Sequence, residues 1–170
     1  MSDTVAVLET GRPLAYGFED LLRYHGFGFP GGVAHGFKVM QRAFPVLSPE
    51  GPPERREISI RTPFKGPGAR DAFEMVTRAT SEGRYVIDDG LLAPERGDIL
   101  KGYVFVLAYR GRALKLTIRD GIVREEFIRL GRKPDRTAEE ETRLAALKQD
   151  MADRLLALPA DRAYDVTPLP

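Results

Sequence analysis

The stretch KGYVFVLAYRGRALKLTI, residues 101–118, holds two runs rich in valine, leucine, isoleucine and aromatic side chains. The dipeptide Arg-Gly at positions 110–111 separates the runs, and a two-residue connection of this kind is typical of a β-hairpin. Residues 57–62, EISIRT, alternate two isoleucines with polar neighbours, which predicts a half-buried strand. We therefore expect a mostly antiparallel sheet at the centre of the fold.

Four further segments carry apolar residues at helical spacing. Three of them are residues 18–24, 33–44 and 69–80. The fourth begins after a capping box formed by Thr137 and Glu140, and its apolar face comprises Leu144, Leu147, Met151 and Leu155. The sequence therefore predicts an α+β fold, with helices packed on the sheet and a long C-terminal helix.

Two segments are less clear from their patterns. Residues 122–130 follow the turn dipeptide Asp-Gly and are interpreted as a third strand, with the start of a helix as the alternative. Residues 159–170 carry three prolines and few apolar anchors, which predicts a tail or a strap lying on a neighbour. A single domain is expected over residues 1–158.

Composition excludes several classes of protein. The 26 Lys and Arg balance the 25 Asp and Glu, so no net charge favours binding to nucleic acid or to an anionic membrane. No apolar run reaches the length of a membrane helix, and the N-terminal Met-Ser-Asp-Thr lacks the features of a secretion signal, so we expect a cytoplasmic protein. With no cysteine and two histidines, thiolate chemistry and cysteine-based metal sites are excluded.

The glycine-rich segment GFGFPG, residues 26–31, matches the dinucleotide-binding pattern G-x-G-x-x-G. In that fold the pattern follows a strand, whereas here a predicted helix precedes it, which argues against a dinucleotide site. Two interpretations remain. The turn lies at a helix start near Lys38 and could hold a carboxylate or phosphate, or its glycines could only allow two helices to pack closely.

His25, Asp71 and Lys101 are the residues whose chemistry suits a reaction. His25 borders the glycine-rich segment, and an imidazole titrates near neutral pH. Each also has a structural interpretation: a histidine is often buried and paired, an acid in the first helical turn stabilises the helix, and a lysine protects a strand end. The second histidine, His35, is open to the same two interpretations.

Three blocks of the chain resemble the FmdE-like proteins, a family named after one of the subunits of formylmethanofuran dehydrogenase. Residues 18–31, FEDLLRYHGFGFPG, with Gly-Phe-Lys at 36–38, resemble the family pattern F-x6-H-G-H-x-C-P-G followed by G-Y-R. Residues 68–77, GARDAFEMVT, resemble C-G-x-D-A-I-Q-x-x-T, and residues 98–106, DILKGYVFV, resemble D-x-G-K-x-A-F-T-F. The resemblance implies an α+β domain that dimerises and, in the family, a transition-metal site.

The family's metal ligands are largely missing from this chain. His25 takes the place of the first family histidine, Asp71 that of the acid and Lys101 that of the strand lysine. Phenylalanines stand at the second histidine and the first cysteine, and Gly68 and Ala79 stand at or near the other cysteines. Because phenyl rings and glycine cannot bind a metal, we expect no transition metal and no cofactor, and an apolar pocket in place of the metal site; a magnesium or calcium site formed by Asp and Glu stays open.

These observations lead to two hypotheses. In the first, a homodimeric, metal-independent FmdE-like protein binds a small anionic or aromatic metabolite of one-carbon metabolism and acts on it by acid–base chemistry through His25, Asp71 and Lys101. The predicted ligand-binding residues are Phe27, Gly28, Phe29, Gly31, His35, Lys38 and Arg84. In the second, the chain is a non-catalytic accessory or scaffold subunit retained for its interface.

Overall fold

The computed structural model describes residues 3–170, which form an α+β fold of seven strands and seven helices. The strands are β1 (Thr4–Glu9), β2 (Arg12–Gly17), β3 (Ser59–Thr62), β4 (Tyr85–Ile87), β5 (Val104–Tyr109), β6 (Arg112–Ile118) and β7 (Tyr164–Leu169). The helices are α1 (Phe18–His25), α2 (Pro30–Leu47), α3 (Pro67–Thr77), α4 (Gly97–Leu100), α5 (Glu125–Arg132), α6 (Ala138–Leu156) and α7 (Ala160–Ala163).

The main sheet has the strand order β4-β3-β5-β6-β7, and every pair is antiparallel except β3 with β4. The predicted hairpin forms β5 and β6. Its two turn residues, Arg110 and Gly111, have φ values of 44° and 79°, as a tight hairpin turn that matches the strand twist requires. The sheet is therefore mostly antiparallel, as the sequence predicts.

A second, two-stranded sheet was not predicted. It is the hairpin of β1 and β2, which turns at Thr10 and Gly11 with positive φ at both. Backbone N–H groups of both turn residues donate to the carboxylate of Glu54. This contact fixes the hairpin to the proline-rich segment that follows α2.

The predicted tail, residues 159–170, is instead part of the fold. Its chain forms α7 and then β7, which pairs with β6 along its whole length from Ile118–Tyr164 to Ala113–Leu169. Tyr164 is completely buried in the core. The prediction of a tail or of a strap on a neighbour was wrong, because the pairing of β7 with β6 is a contact distant in sequence that no local pattern indicates.

The predicted strand over residues 122–130 was also wrong, since Glu125–Arg132 is the helix α5. Acidic residues occupy its first turn and basic residues its last, which suits the helix dipole. Phe127 and Ile128, one after the other on its inner side, pack against the core. The other predicted helices and the capping box of Thr137 and Glu140 are confirmed.

α2 is the central helix of the fold. It packs against α3 on one side and α6 on another, and it also contacts β6 and β7. Its residues are buried almost all round, including His35 and Lys38. Among residues 3–170, no helix is long and apolar enough to cross a membrane.

Candidate functional site

The glycine-rich segment lies at a junction of three helices. α1 ends at His25, Gly26 turns the chain with a φ of 90°, and α2 begins at Pro30. α3 packs against both of these helices. The side chain of His25 is thereby brought to the beginning of α3, which carries Asp71.

Close backbone contacts explain most of the glycines at this junction. A Cβ on Gly68 would lie 2.5 Å from the carbonyl oxygen of Phe29, and one on Gly36 would lie 2.9 Å from the Cβ of Ala72. A Cβ on Gly31 would lie 2.9 Å from Met151 of α6. Of the two interpretations of this segment, close helix packing is the one that these contacts support, and the ligand contact of Gly31 stays a prediction.

His25 and Asp71 form the predicted pair. Nδ1 of His25 lies 2.8 Å from a carboxylate oxygen of Asp71, and the His25 side chain is 7% exposed. An ionised carboxylate can only accept, so Nδ1 is the donor. Nε2 is therefore the basic nitrogen of the neutral ring, and this buried atom has no hydrogen-bond partner among residues 3–170.

Phe29 lies beside His25, and Lys148 of α6 in turn contacts Phe29. The ring of Phe29 lies 5.9 Å from the His25 ring, and Nζ of Lys148 lies 4.1 Å from the centre of the Phe29 ring. Burial, together with the charge of Arg136, lowers the pKa of the Lys148 ammonium. The junction therefore combines an imidazole with a free nitrogen, an aromatic ring and a half-buried cation.

Lys148 was missed by sequence reasoning. It follows Leu147 in the apolar pattern of α6 and has no motif of its own. Its position beside Phe29 depends on the packing of α6 against α2, where the Lys148 carbonyl lies close to Gly31. No pattern in the sequence identifies Lys148, because its position depends on this contact between two helices.

Lys101 has a different set of partners. Its ammonium lies 2.6 Å from Asp98, and Asp98 also pairs with Arg132. These hydrogen bonds from Lys101 and Arg132 lower the pKa of the Asp98 carboxyl. Among residues 3–170, no hydrogen bond or ion pair joins Lys101 to His25 or Asp71, so its catalytic role stays a prediction.

Two predicted ligand residues beside His25 are open to solvent. Phe27 is 78% exposed, and a Cβ on Gly28 would touch nothing within 4 Å. Phe29 is also exposed, at 42%. The segment between α1 and α2 therefore exposes its aromatic side chains to solvent, whereas Nε2 of His25 is buried.

His35, the other histidine, lies in the core away from solvent. Its Nδ1 lies 2.8 Å from the hydroxyl of Tyr164, and the rings of Phe64 and Tyr103 surround it. Burial lowers the pKa of His35 from 6.5 to about 3. It is therefore neutral at physiological pH, and its contacts support a packing role, while its ligand contact stays a prediction.

Lys38 and Arg84, two predicted ligand-binding cations, are both held by backbone carbonyls. Lys38 donates to the carbonyl of Leu158 at 2.7 Å. Arg84 donates to the carbonyls of Ile58 and Thr77, which joins the residue before β3 to the end of α3. Arg84 therefore has a structural role, whereas Lys38 also borders a large cleft.

No group of three or more His, Asp or Glu side chains in the described part of the chain is arranged to hold a metal ion. Comparisons with known proteins add no identity: no protein family model matches the chain, and no curated protein matches it significantly. The arrangement of His25, Asp71, Phe29 and Lys148 is therefore the basis for assigning a function.

Proposed function

We propose that this chain is a metal-independent, FmdE-like protein that binds a small anionic or aromatic metabolite and transfers a proton through Nε2 of His25. The observation that carries the proposal is the hydrogen bond of 2.8 Å between His25 and Asp71, which leaves the buried Nε2 unpaired. Paired imidazole and carboxylate groups of this kind are typical of general acid–base catalysis.

Each group at the junction has a distinct role in this proposal. Asp71 orients the ring of His25 and fixes its tautomer, so that Nε2 accepts the proton. Phe29 offers an aromatic face, and Lys148 holds the negative end of the ligand. Because Nε2 is buried, the exposed segment around Phe27 moves aside when the ligand enters.

The resemblance to the FmdE-like family supplies the remaining parts of the proposal. These are a two-fold homodimer and a role in one-carbon metabolism, whereas the proposed cytoplasmic location follows from the lack of an apolar run as long as a membrane helix. The dimer now depends on this resemblance alone, because β7 pairs with β6 of the same chain and residues 159–170 need no partner surface.

A second candidate is a non-catalytic accessory subunit. It is favoured by the exposure of Tyr24, Phe27 and Phe29, which is 53%, 78% and 42% respectively. Exposed aromatic residues of this kind are enriched at protein interfaces. In addition, His25 lines neither of the two clefts described in this fold.

NMR titration with benzoate distinguishes the two candidates, with benzamide as the uncharged analogue. We expect benzoate to shift the side-chain nitrogen signals of His25 and the amide of Phe29. Lys148→Met should weaken binding about tenfold, which corresponds to one charge-assisted hydrogen bond. Lys65→Met is the control, since Lys65 pairs with Asp89 on the surface. If benzoate leaves the His25 signals unchanged, the accessory function is preferred.

A further inference from the structure

A large cleft lies along the C-terminal half of α2, away from His25. Its volume is about 800 Å³, within the range of small-molecule sites. One wall is α2, and the others are β1, the proline-rich segment after α2 and the chain between α6 and α7. Apolar side chains dominate its surface, among them Phe18, Phe37, Phe44, Pro52 and Leu158.

Lys38 is the buried charge in this cleft. The residue is only 6% exposed, and its ammonium donates to one acceptor, the carbonyl of Leu158. An ammonium has three N–H donors. Among residues 3–170, no carboxylate pairs with Lys38 within ion-pair distance, so the charge is only partly compensated.

The other charged residues that the structure describes along this cleft form no ion pair with the ammonium of Lys38. Asp3 and Asp161 are exposed at its rim. The carboxylate of Asp3 raises the pKa of Lys38 by its charge, but burial of Lys38 lowers it more. Arg42 donates to the carbonyl of Tyr164. A buried ammonium without an anionic partner is unfavourable, and an anion in the cleft would remove that cost.

We propose that this cleft is a second binding site, which takes an elongated amphipathic carboxylate. The carboxylate binds to Lys38, and the apolar body of the ligand lies against the aromatic and proline side chains. One buried cation balances one negative charge, which favours a monocarboxylate over a phosphate. The site is distinct from the one at His25, because Lys38 lies eight residues along α2 from Pro30, about 12 Å at the helical rise.

Isothermal titration calorimetry with decanoate tests the proposal, with decan-1-ol as the probe that lacks a charge. We expect one decanoate per chain, and binding of decanol about tenfold or more weaker, since a charge-assisted hydrogen bond is lost. Lys38→Met should weaken decanoate to the level of decanol. Lys65→Met, which removes an exposed lysine outside the cleft, should leave binding unchanged.

A second variant, Asp3→Asn, should change decanoate affinity in the direction opposite to Lys38→Met. This test does not require the Lys38 variant to fold. Removing the rim carboxylate should strengthen decanoate binding, because the negative charge of Asp3 and that of decanoate both act on the ammonium of Lys38. Equal affinities for decanoate and decanol, or wild-type affinity in Lys38→Met, would overturn the proposal. So would a wild-type chain that binds no decanoate and dimerises through this cleft, because a second copy would then be its occupant.

Discussion

His25 and Asp71 are 46 positions apart in the sequence, yet their side chains form a hydrogen bond of 2.8 Å that joins the last residue of α1 to α3. This bond fixes which nitrogen of the imidazole carries the proton. Asp71 has a second contact, with Arg70 at 3.3 Å, which keeps the other carboxylate oxygen away from the ring. The tautomer of His25 is therefore a direct test of the site.

The first prediction concerns this tautomer. In the neutral form of the ring, long-range nitrogen–proton NMR should show the His25 proton on Nδ1, the nitrogen that lies 2.8 Å from Asp71. Asp71→Asn should reduce this preference, because an amide can donate as well as accept. The signals of the other histidine, His35, are assigned because they disappear in the variant His35→Asn. If the proton is on Nε2 of His25 in the wild-type protein, the proposed hydrogen bond from Nδ1 to Asp71 is wrong.

The second prediction separates the two interpretations of the glycines. Gly68→Ala should destabilise the protein by about 2 kcal/mol or more, because its Cβ would lie 2.5 Å from a backbone oxygen, a case of overpacking. Gly28→Ala is the matched control from the G-x-G-x-x-G pattern, since nothing lies within 4 Å of its Cβ. Urea unfolding measures both. Equal losses in the two variants would mean that helix packing does not explain these glycines.

How much of the fold was predictable follows from where its stabilising contacts lie. The β5–β6 hairpin and α6 depend on local signals, a turn dipeptide and a capping box, and both are confirmed. The strand β7 has no such signal. Its place in the sheet depends on pairing with β6 and on the burial of Tyr164, which are contacts distant in sequence.

Contacts distant in sequence also decide which residues of the candidate site could be predicted. The family resemblance placed His25 and Asp71 together because it compares whole blocks of sequence, and the structure brings this pair into contact. Neither residue spacing nor the resemblance pointed to Lys148, whose position depends on how α6 packs against Gly31. Lys101, which the resemblance did suggest, pairs with Asp98.

The third prediction concerns metal content. Elemental analysis of untagged protein should find no stoichiometric transition metal, and a chelator should leave the thermal unfolding midpoint unchanged. The reason is that the chain has no cysteine, and that its described residues hold no group of three or more His, Asp or Glu side chains placed to bind a metal ion. Zinc, nickel or iron near one atom per chain would show that the ligand argument is wrong.

The fourth prediction concerns the C-terminal strand. Removal of residues 164–170 should abolish cooperative unfolding, because β6 would lose one of its two partner strands and the core would lose the buried ring of Tyr164. Removal of Pro170 alone is the control, since β7 ends at Leu169. Circular dichroism during thermal unfolding measures the effect. A truncated chain with the wild-type midpoint would mean that the segment is a dispensable tail after all.

The last prediction follows from the buried imidazole of His35. Its pKa is about 3 in the folded protein and 6.5 without burial, so the unfolded chain binds a proton at a pH where the folded chain does not. The contribution of the neutral His35 ring to the free energy of unfolding is therefore complete above pH 6.5 and is lost as the pH falls towards 3. Between about pH 7 and about pH 5, His35 should lower the free energy of unfolding by about 2 kcal/mol.

His35→Asn isolates this contribution, because the amide oxygen can accept from Tyr164 but does not titrate. The variant is expected to be less stable than the wild type at neutral pH, owing to the cavity left by the smaller side chain. Its stability should nevertheless fall less steeply with decreasing pH, and since His25 is present in both proteins, the difference in slope belongs to His35. Urea unfolding at several pH values gives both slopes. Parallel slopes would show that His35 is protonated in the folded protein, and hence that the core around Tyr164 admits solvent.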